Sequence, residues 1–137
     1  MNEIDKNQFG IGHIAIWVDD LEKMRLFYQT YFGVKASTIY MNKNKGFTSY
    51  FLTFKEKETR MELMHKESGI GSLQERGWVK GLAHFAISVG SKEMVDQITE
   101  QLRTDHYQVT GEPRITGDGY YESVVLDPEG NHIEITI

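Results

Sequence analysis

The chain has 137 residues, of which 39% are hydrophobic and 26% are charged, and this composition predicts one soluble globular domain. The formal net charge is −5 and the lysines and arginines form no basic stripe, so nucleic acid is not an expected partner. No apolar run approaches the roughly 20 residues that cross a bilayer, so no membrane is expected either. The polar, acidic start and the absence of cysteine favour a cytoplasmic location.

The first predicted elements are a strand followed by a helix. The stretch "IGHIAIWVDD" at 11–20 is rich in Ile and Val and predicts a strand. Asp19 and Asp20 are suitable N-cap residues, and Asp19 with Glu22 resembles a capping box. Apolar residues then recur at helical spacing until Gly33, where we expect the helix to end. These apolar residues are Met24, Phe27 and Tyr31.

Three more strands complete the first half of the chain. Hydrophobic segments near 36–41, 47–54 and 60–65 predict these strands. The polar segments "NKNKG" and "KEKET" between them predict turns. We therefore expect the first half to consist of one strand, one helix and three strands.

The second half repeats this order at an offset of 71 residues. The stretch "GLAHFAISVG" at 81–90 predicts a strand, and Ser91 takes the cap position that Asp20 has in the first half. The apolar helix positions of the first half map onto Val95, Ile98 and Leu102. The remaining strands are expected near 107–110 or 113–116, at 120–126 and at 131–137, with "DPEG" at 127–130 as a turn.

Neither half is large enough to bury a substantial core alone, because a unit of about 70 residues buries only a modest fraction of its surface. We therefore predict a single α+β domain, 1–137, built from two tandem βαβββ modules. Module 1 is expected at about 9–66, the connector at about 67–80 and module 2 at about 81–137.

Two histidines and two glutamates occupy equivalent positions of the two halves. His13 and His84 are 71 residues apart, and Glu62 and Glu134 are 72 residues apart. Each interrupts an apolar strand, where an unpaired carboxylate is costly. A divalent cation compensates the carboxylates, and imidazole with carboxylate ligands suits Zn, Ni, Co, Mn or Fe(II). The alternative is that each is an exposed or hydrogen-bonded surface residue, the usual role of a single His or Glu.

Alternation along the strands selects two neighbours of this group as candidates for substrate binding. Trp17 shares the side of the strand that carries His13, and Arg60 shares the side that carries Glu62. Arg60 is suited to an anionic substrate or, alternatively, to a salt bridge with a neighbour.

Three stretches of the chain resemble the vicinal oxygen chelate superfamily, the group of glyoxalases, bleomycin resistance proteins and dioxygenases. They are "GHIAIWVDDLEKMRLFYQTYFG", "LAHFAISV" and "DPEGNHIEI". The resemblance covers about residues 9–137 and is strongest to glyoxalase I. It implies paired βαβββ modules that form a curved mixed sheet around one divalent metal, with Zn, Ni or Co as the expected ions. It implies as ligands His13, Glu62, His84 and Glu134.

The resemblance also implies a homodimer that binds a small-molecule substrate. In such a dimer, His13 and Glu62 of one chain would lie close to His84 and Glu134 of the other chain. The alternative is a monomer in which all four ligands come from one chain.

By the same resemblance, the expected activity is that of a glyoxalase I-like lyase or isomerase. It would move a proton next to a metal-chelated carbonyl of a small oxo-substrate or its thiol adduct. Glu134 is expected to be the base and Glu62 its partner, although either carboxylate is chemically suited. Bacterial glyoxalase I tends to have Arg four residues after the first His and Asn four residues after the first Glu. Trp17 and Lys66 hold these places here, so both are candidates for substrate binding and glutathione is not the only thiol to consider.

Two further functions are compatible with this fold. A CoA-ester epimerase is one, although methylmalonyl-CoA epimerase typically has Gln where Glu62 stands. The other is a non-catalytic protein that binds an antibiotic or another small molecule in a wide aromatic groove without a metal. Candidates for lining such a groove are Trp17, Tyr50, Tyr120 and Tyr121. Dioxygenases of this fold use two His and one Glu, so the fourth ligand, Glu62, argues against them.

Overall fold

The computed structural model describes residues 6, 7, 9–55, 59–71 and 76–137. The first half contains β1 (His13–Trp17), α1 (Leu21–Phe32), β2 (Lys35–Ala36), β3 (Tyr40–Asn42), a 3-10 turn (Lys43–Lys45), β4 (Phe47–Thr53) and β5 (Arg60–Lys66). The second half contains β6 (Phe85–Ser88), α2 (Lys92–Thr104), β7 (Val109–Ile115), β8 (Tyr121–Leu126) and β9 (His132–Thr136). No helix among the described residues is long and apolar enough to cross a membrane.

The strands form one sheet in each half of the chain. The first sheet has the order β1-β5-β4-β2, with β3 also pairing with β4, and the second has the order β6-β9-β8-β7. In both sheets the first strand of the module pairs in parallel with the last, and the other pairings are antiparallel. Because β2 and β3 share β4 as partner, together they take the place of one strand. The predicted α+β class and the two βαβββ modules are confirmed.

The helices begin at the two residues that the repeat places 71 positions apart. The Asp20 side chain accepts a hydrogen bond from the Lys23 amide at 3.0 Å, and the Ser91 side chain accepts one from the Met94 amide at 3.2 Å. The capping box expected from Asp19 and Glu22 is wrong, because Asp20 is the cap and the Glu22 carboxylate instead accepts hydrogen bonds from Arg25 and Tyr50. The first helix ends at Gly33, as predicted, since φ is +64° there and only glycine adopts this conformation without strain.

The predicted turns form as their residues indicate. In "DPEG", the Gly130 amide donates to the Asp127 carbonyl at 3.0 Å. "NKNKG" folds as the 3-10 turn that ends at Gly46, and most of "KEKET" lies outside the described residues. The two alternatives for the next strand, 107–110 and 113–116, each overlap the single strand β7, whose register shifts at Gly111.

The core lies between each sheet and its helix. The sheet side opposite His13 and His84 carries the apolar residues that the helices cover, as strand alternation predicts. The fully buried side chains include Tyr28, Met24, Leu52, Leu63, Leu102, Ile133, Ile135, Val95 and Val125. The opposite sheet side, which carries the His and Glu residues, is therefore free of helix and available for a site.

A buried hydrogen bond joins the two modules. The Tyr28 hydroxyl of α1 donates to Asp127 Oδ2 at 2.7 Å, although the two residues are 99 positions apart in sequence. The amides of Glu129 and Asn131 and the Asn131 side chain also donate to this carboxylate. Burial and the neighbouring Asp127 carboxylate hold the pKa of Tyr28 well above its usual value, so the hydroxyl stays protonated and donates.

Replacement of Tyr28 by Phe is expected to lower the free energy of unfolding by about 1.5–3 kcal/mol, because a buried hydrogen bond to a charged acceptor is lost. Tyr31→Phe is the matched control on the same helix, since its hydroxyl donates to the exposed Asp105 at 2.6 Å. The control is expected to cost less than about 1 kcal/mol. Urea unfolding followed by circular dichroism measures both values, and an equal or larger loss in Tyr31→Phe would contradict the assignment.

Candidate metal centre

The first His–Glu pair lies on β1 and β5. Ala15 and Glu62 are register partners in the parallel pair, and His13 precedes Ala15 by two residues on the same sheet side. His13 Nε2 lies 3.9 Å from Glu62 Oε1. The His13 side chain is 47% exposed and the Glu62 side chain is 14% exposed, so the imidazole is open to a partner while the carboxylate is largely enclosed.

The second pair repeats this arrangement on β6 and β9. Ala86 and Glu134 are register partners, and His84 precedes Ala86 by two residues. His84 Nε2 lies 3.2 Å from Glu134 Oε2, and the side chains are 46% and 20% exposed. Both pairs therefore have the same register, the same sheet side and similar exposure.

The two pairs have the donor chemistry and spacing of metal ligands. Ligand atoms about 2.1 Å from a metal, separated by about 90–109° at the ion, lie about 3.0–3.4 Å from one another. The His84–Glu134 distance of 3.2 Å falls in this range. The His13–Glu62 distance of 3.9 Å is longer, and a small movement of either side chain brings it into the range. The register partners of the two glutamates, Ala15 and Ala86, have only a methyl side chain, which leaves space above the sheet. The residues present thus fit a divalent metal.

Within one chain, however, the two pairs stay apart. Among the described residues, no group of three or more His, Asp or Glu side chains is close enough to hold one ion. One cavity is lined by Trp17 and His84, whereas another is lined by Ile14 and Val89, so β1 and β6 run past each other in opposite directions. His13 is then separated from the His84 end by the length of β1, about 13 Å at about 3.3 Å per residue. Each His–Glu pair is therefore a candidate half-site, and the two candidate half-sites of one chain lie apart.

One of the three predicted substrate-binding residues, Arg60, lies beside the first half-site. Arg60 is the register partner of His13, and its guanidinium carbon lies 4.3 Å from the centre of the Phe51 ring. His13 contacts the same Phe51 ring edge-on, with ring centres 5.4 Å apart. Trp17 and Lys66 lie at the far end of the sheet, where Phe47 contacts Trp17 and pairs with Lys66. Of the three candidates, Arg60 lies nearest to the His–Glu pair of the first module.

Trp17 also belongs to the surroundings of the second half-site. It lines a cavity of about 340 Å³ together with His84 and His132. His132 shares the sheet side of Glu134 and contacts Trp78 edge-on, with ring centres 6.2 Å apart. The packing of the two modules thus brings Trp17 and His84 to the same cavity.

Glu122 is a site residue that the sequence reasoning missed. Its neighbour Val124 pairs with Glu134 in the β8–β9 ladder, so Glu122 faces the same side of the sheet. Burial raises the pKa of the Glu122 carboxyl, and the charge of Glu134 and a hydrogen bond with it raise the pKa further. The signal was present in the sequence, because the turn at 127–130 fixes the hairpin register that places Glu122 beside Glu134.

The aromatic groove expected for a drug-binding protein is not assembled. Tyr50 donates a hydrogen bond to Glu22 of α1, and Tyr121 donates one to Asp96 of α2, so both rings face the helix side of their sheets. Tyr120 is exposed. Tyr50 and Tyr121 are therefore turned away from the sheet side that carries the His–Glu pairs, and this weighs against a groove built from all four predicted aromatic residues.

Comparison with known proteins identifies the family. The model of the glyoxalase/bleomycin resistance protein/dioxygenase superfamily matches residues 10–135, and the chain belongs to this superfamily. The resemblance recognised in the sequence is confirmed.

Individual relatives are distant. The uncharacterized protein YqjT of Bacillus subtilis (strain 168) is 28% identical over 131 residues, which cover 90% of this chain and 94% of YqjT. Human mitochondrial methylmalonyl-CoA epimerase is 30% identical over 82 residues, which cover 58% of this chain and 46% of the epimerase. The trypanothione-dependent glyoxalase I of Leishmania major superimposes with a TM-score of 0.74 at 23% identity, covering 94% of this chain and 86% of that one. This last likeness establishes a shared fold.

Proposed function

We propose that the protein is a metal-dependent lyase or isomerase of the glyoxalase I type, which moves a proton next to the carbonyl of a small oxo-substrate or its thiol adduct. The observation that carries this proposal is the identical register of the two His–Glu pairs in the two modules. A role in core packing does not explain why both modules have the same pair, because neither pair belongs to the buried core. Membership of the superfamily and the likeness to glyoxalase I folds support it.

The ligands would be His13, Glu62, His84 and Glu134, holding one divalent ion, with Zn, Ni or Co as the candidates. When bound, the ion supplies Lewis acidity to a substrate carbonyl. Glu134 would take the proton from the substrate carbon and return it to the adjacent carbon. Its partly exposed carboxylate, on the open side of the sheet, is accessible to a small molecule.

The same half-sites favour a homodimer in which the site is shared between chains. Ile11 is 66% exposed and Leu82 is 64% exposed, and each lies two residues before the histidine of its module, just ahead of the strand. Exposed apolar residues that flank a polar centre are typical of a surface that a protein partner covers. A second copy placed with its second module over the first module would cover these residues and bring both pairs together.

An acyl-CoA epimerase is the second candidate. The observation that favours it is the 30% identity to human methylmalonyl-CoA epimerase over 82 residues. The chemistry is closely related, because an epimerase also removes and returns a proton on a carbon next to a carbonyl. Assays of methylglyoxal with several thiols, beside epimerisation of acyl-CoA esters followed by deuterium exchange, separate the two activities.

Elemental mass spectrometry of the purified protein tests the metal site. We expect about one transition metal ion per chain in the wild type, by the donor count of the four ligands. His13→Ala and His84→Ala each remove one donor and are expected to lose most of the metal. His106→Asn is the control, since His106 is exposed, lies outside the pairs and has a φ of +68° that Asn tolerates. Wild-type protein without metal after reconstitution, or full metal in both alanine variants, would refute the assignment.

A further inference from the structure

Arg60 lies beside the His–Glu pair of the first module. It begins β5, faces the same side as Glu62 and is the register partner of His13. Its guanidinium lies over the Phe51 ring, which His13 also contacts. The guanidinium and the imidazole of the proposed metal ligand therefore contact the same ring.

The guanidinium of Arg60 forms no salt bridge within the described part of the chain. Arg25 and Arg103, by contrast, pair with carboxylates at 2.7 Å and 2.5 Å. A guanidinium that stacks on an aromatic face keeps its N–H edge available, and this edge matches the two oxygens of a carboxylate or phosphate. The arrangement of Arg60 is suited to binding an anion that comes from outside the chain.

The space beside Arg60 also has a positive character. Arg60 and Lys55 line a cavity of about 890 Å³ between the modules, and no Asp or Glu is among the described residues that line it. Pockets of about 300–1,000 Å³ accommodate small-molecule ligands. The lining is mostly apolar, and Arg60 and Lys55 are the charged residues among those that the structure describes there.

We propose that Arg60, supported by Lys55, binds an oxyanion of the substrate, so that the substrate is an oxo compound with a carboxylate or phosphate group. This inference rests on the proposed function and narrows its substrate class. A site that contains two glutamates repels an anionic substrate, and a nearby guanidinium offsets this repulsion. Because Arg60 lies beside His13, the anionic group is held on the side of the first module while the carbonyl faces the metal ligands.

Isothermal titration with matched pairs of probes tests the proposal. Pyruvate and methyl pyruvate share an oxo group and differ in charge, and dihydroxyacetone phosphate and dihydroxyacetone form the corresponding phosphate pair. The wild type is expected to bind the charged member of one pair at least about tenfold more tightly, since a charge-assisted bidentate contact is gained. Arg60→Gln is expected to lose most of this preference and Arg60→Lys to keep part of it. The pair that shows the effect identifies the oxyanion.

Lys23→Gln is the control for removal of a surface cation, because Lys23 is exposed on α1, on the other side of the sheet from Arg60. It is expected to keep the wild-type preference. Equal binding of both members of each pair by the wild type would overturn the proposal, as would an unchanged preference in Arg60→Gln. The titrations are repeated on protein freed of metal by chelation. An Arg60-dependent preference that persists there supports the anion subsite even if the metal-content experiment refutes the proposed function.

Discussion

Glu134→Gln is expected to lower kcat by about 100- to 10,000-fold at saturating metal, the usual contribution of a positioned acid–base group. Glutamine keeps an oxygen that can serve as a ligand, but it cannot accept the proton from the substrate. Saturating metal separates this loss from weaker metal binding, and bound metal is measured on the same samples. The assay uses the hemithioacetal or CoA ester that the wild-type protein turns over most rapidly.

Two further variants sharpen this measurement. Glu62→Gln is expected to lower kcat less than Glu134→Gln, because Glu134 is assigned as the base; the reverse order would exchange the two roles. Glu112→Gln is the control, since this exposed carboxylate pairs with Arg103 and faces no ligand. If Glu134→Gln and Glu62→Gln both kept kcat within tenfold of the wild type, neither carboxylate would be the base.

Dimers that combine Glu62→Gln in one chain with Glu134→Gln in the other are expected to regain about half of the wild-type metal and activity, by the symmetry of a shared site. One site of this mixed dimer contains both substitutions. The other contains the intact Glu62 of one chain and the intact Glu134 of its partner. Coexpression with two different affinity tags, followed by sequential purification on both, isolates the mixed dimer.

The control for this experiment is a dimer of wild-type chains purified with the same two tags. If all four ligands came from a single chain, every site of the mixed dimer would lack one glutamate and neither metal nor activity would return. Light scattering on the same preparations measures the oligomeric state, and a monomer at micromolar concentration would refute the shared site directly. Each outcome therefore distinguishes one arrangement from the other.

Much of the fold was predictable because its determinants are local. The caps at Asp20 and Ser91, the end of α1 at Gly33 and the turn at 127–130 follow from side chains that bond to nearby backbone groups. The 71-residue offset added the relation between the two halves, which single elements do not reveal. Strand alternation then placed His13 and Glu62 on one side of their sheet, as the register shows.

The remaining features depend on contacts between distant parts of the chain. The hydrogen bond of Tyr28 with Asp127 joins residues 99 positions apart, and nothing in the sequence around either residue indicates the other as its partner. The antiparallel passage of β1 beside β6, which separates His13 from His84, depends on how the modules pack. Glu122 was missed because only the hairpin register, and not its own neighbours in sequence, brings it beside Glu134.

The alanines that pair with the two glutamates indicate how such a module can diverge after duplication. Ala15 and Ala86 are register partners of the two glutamates, and their methyl groups leave the space above the sheet open. A single change of either alanine to a β-branched residue suits a strand and would fill this space while every ligand remained. Such a change would close the proposed site in one step and keep the fold. Duplicated modules of this architecture are therefore free to acquire ligand binding in place of catalysis without passing through an unfolded intermediate.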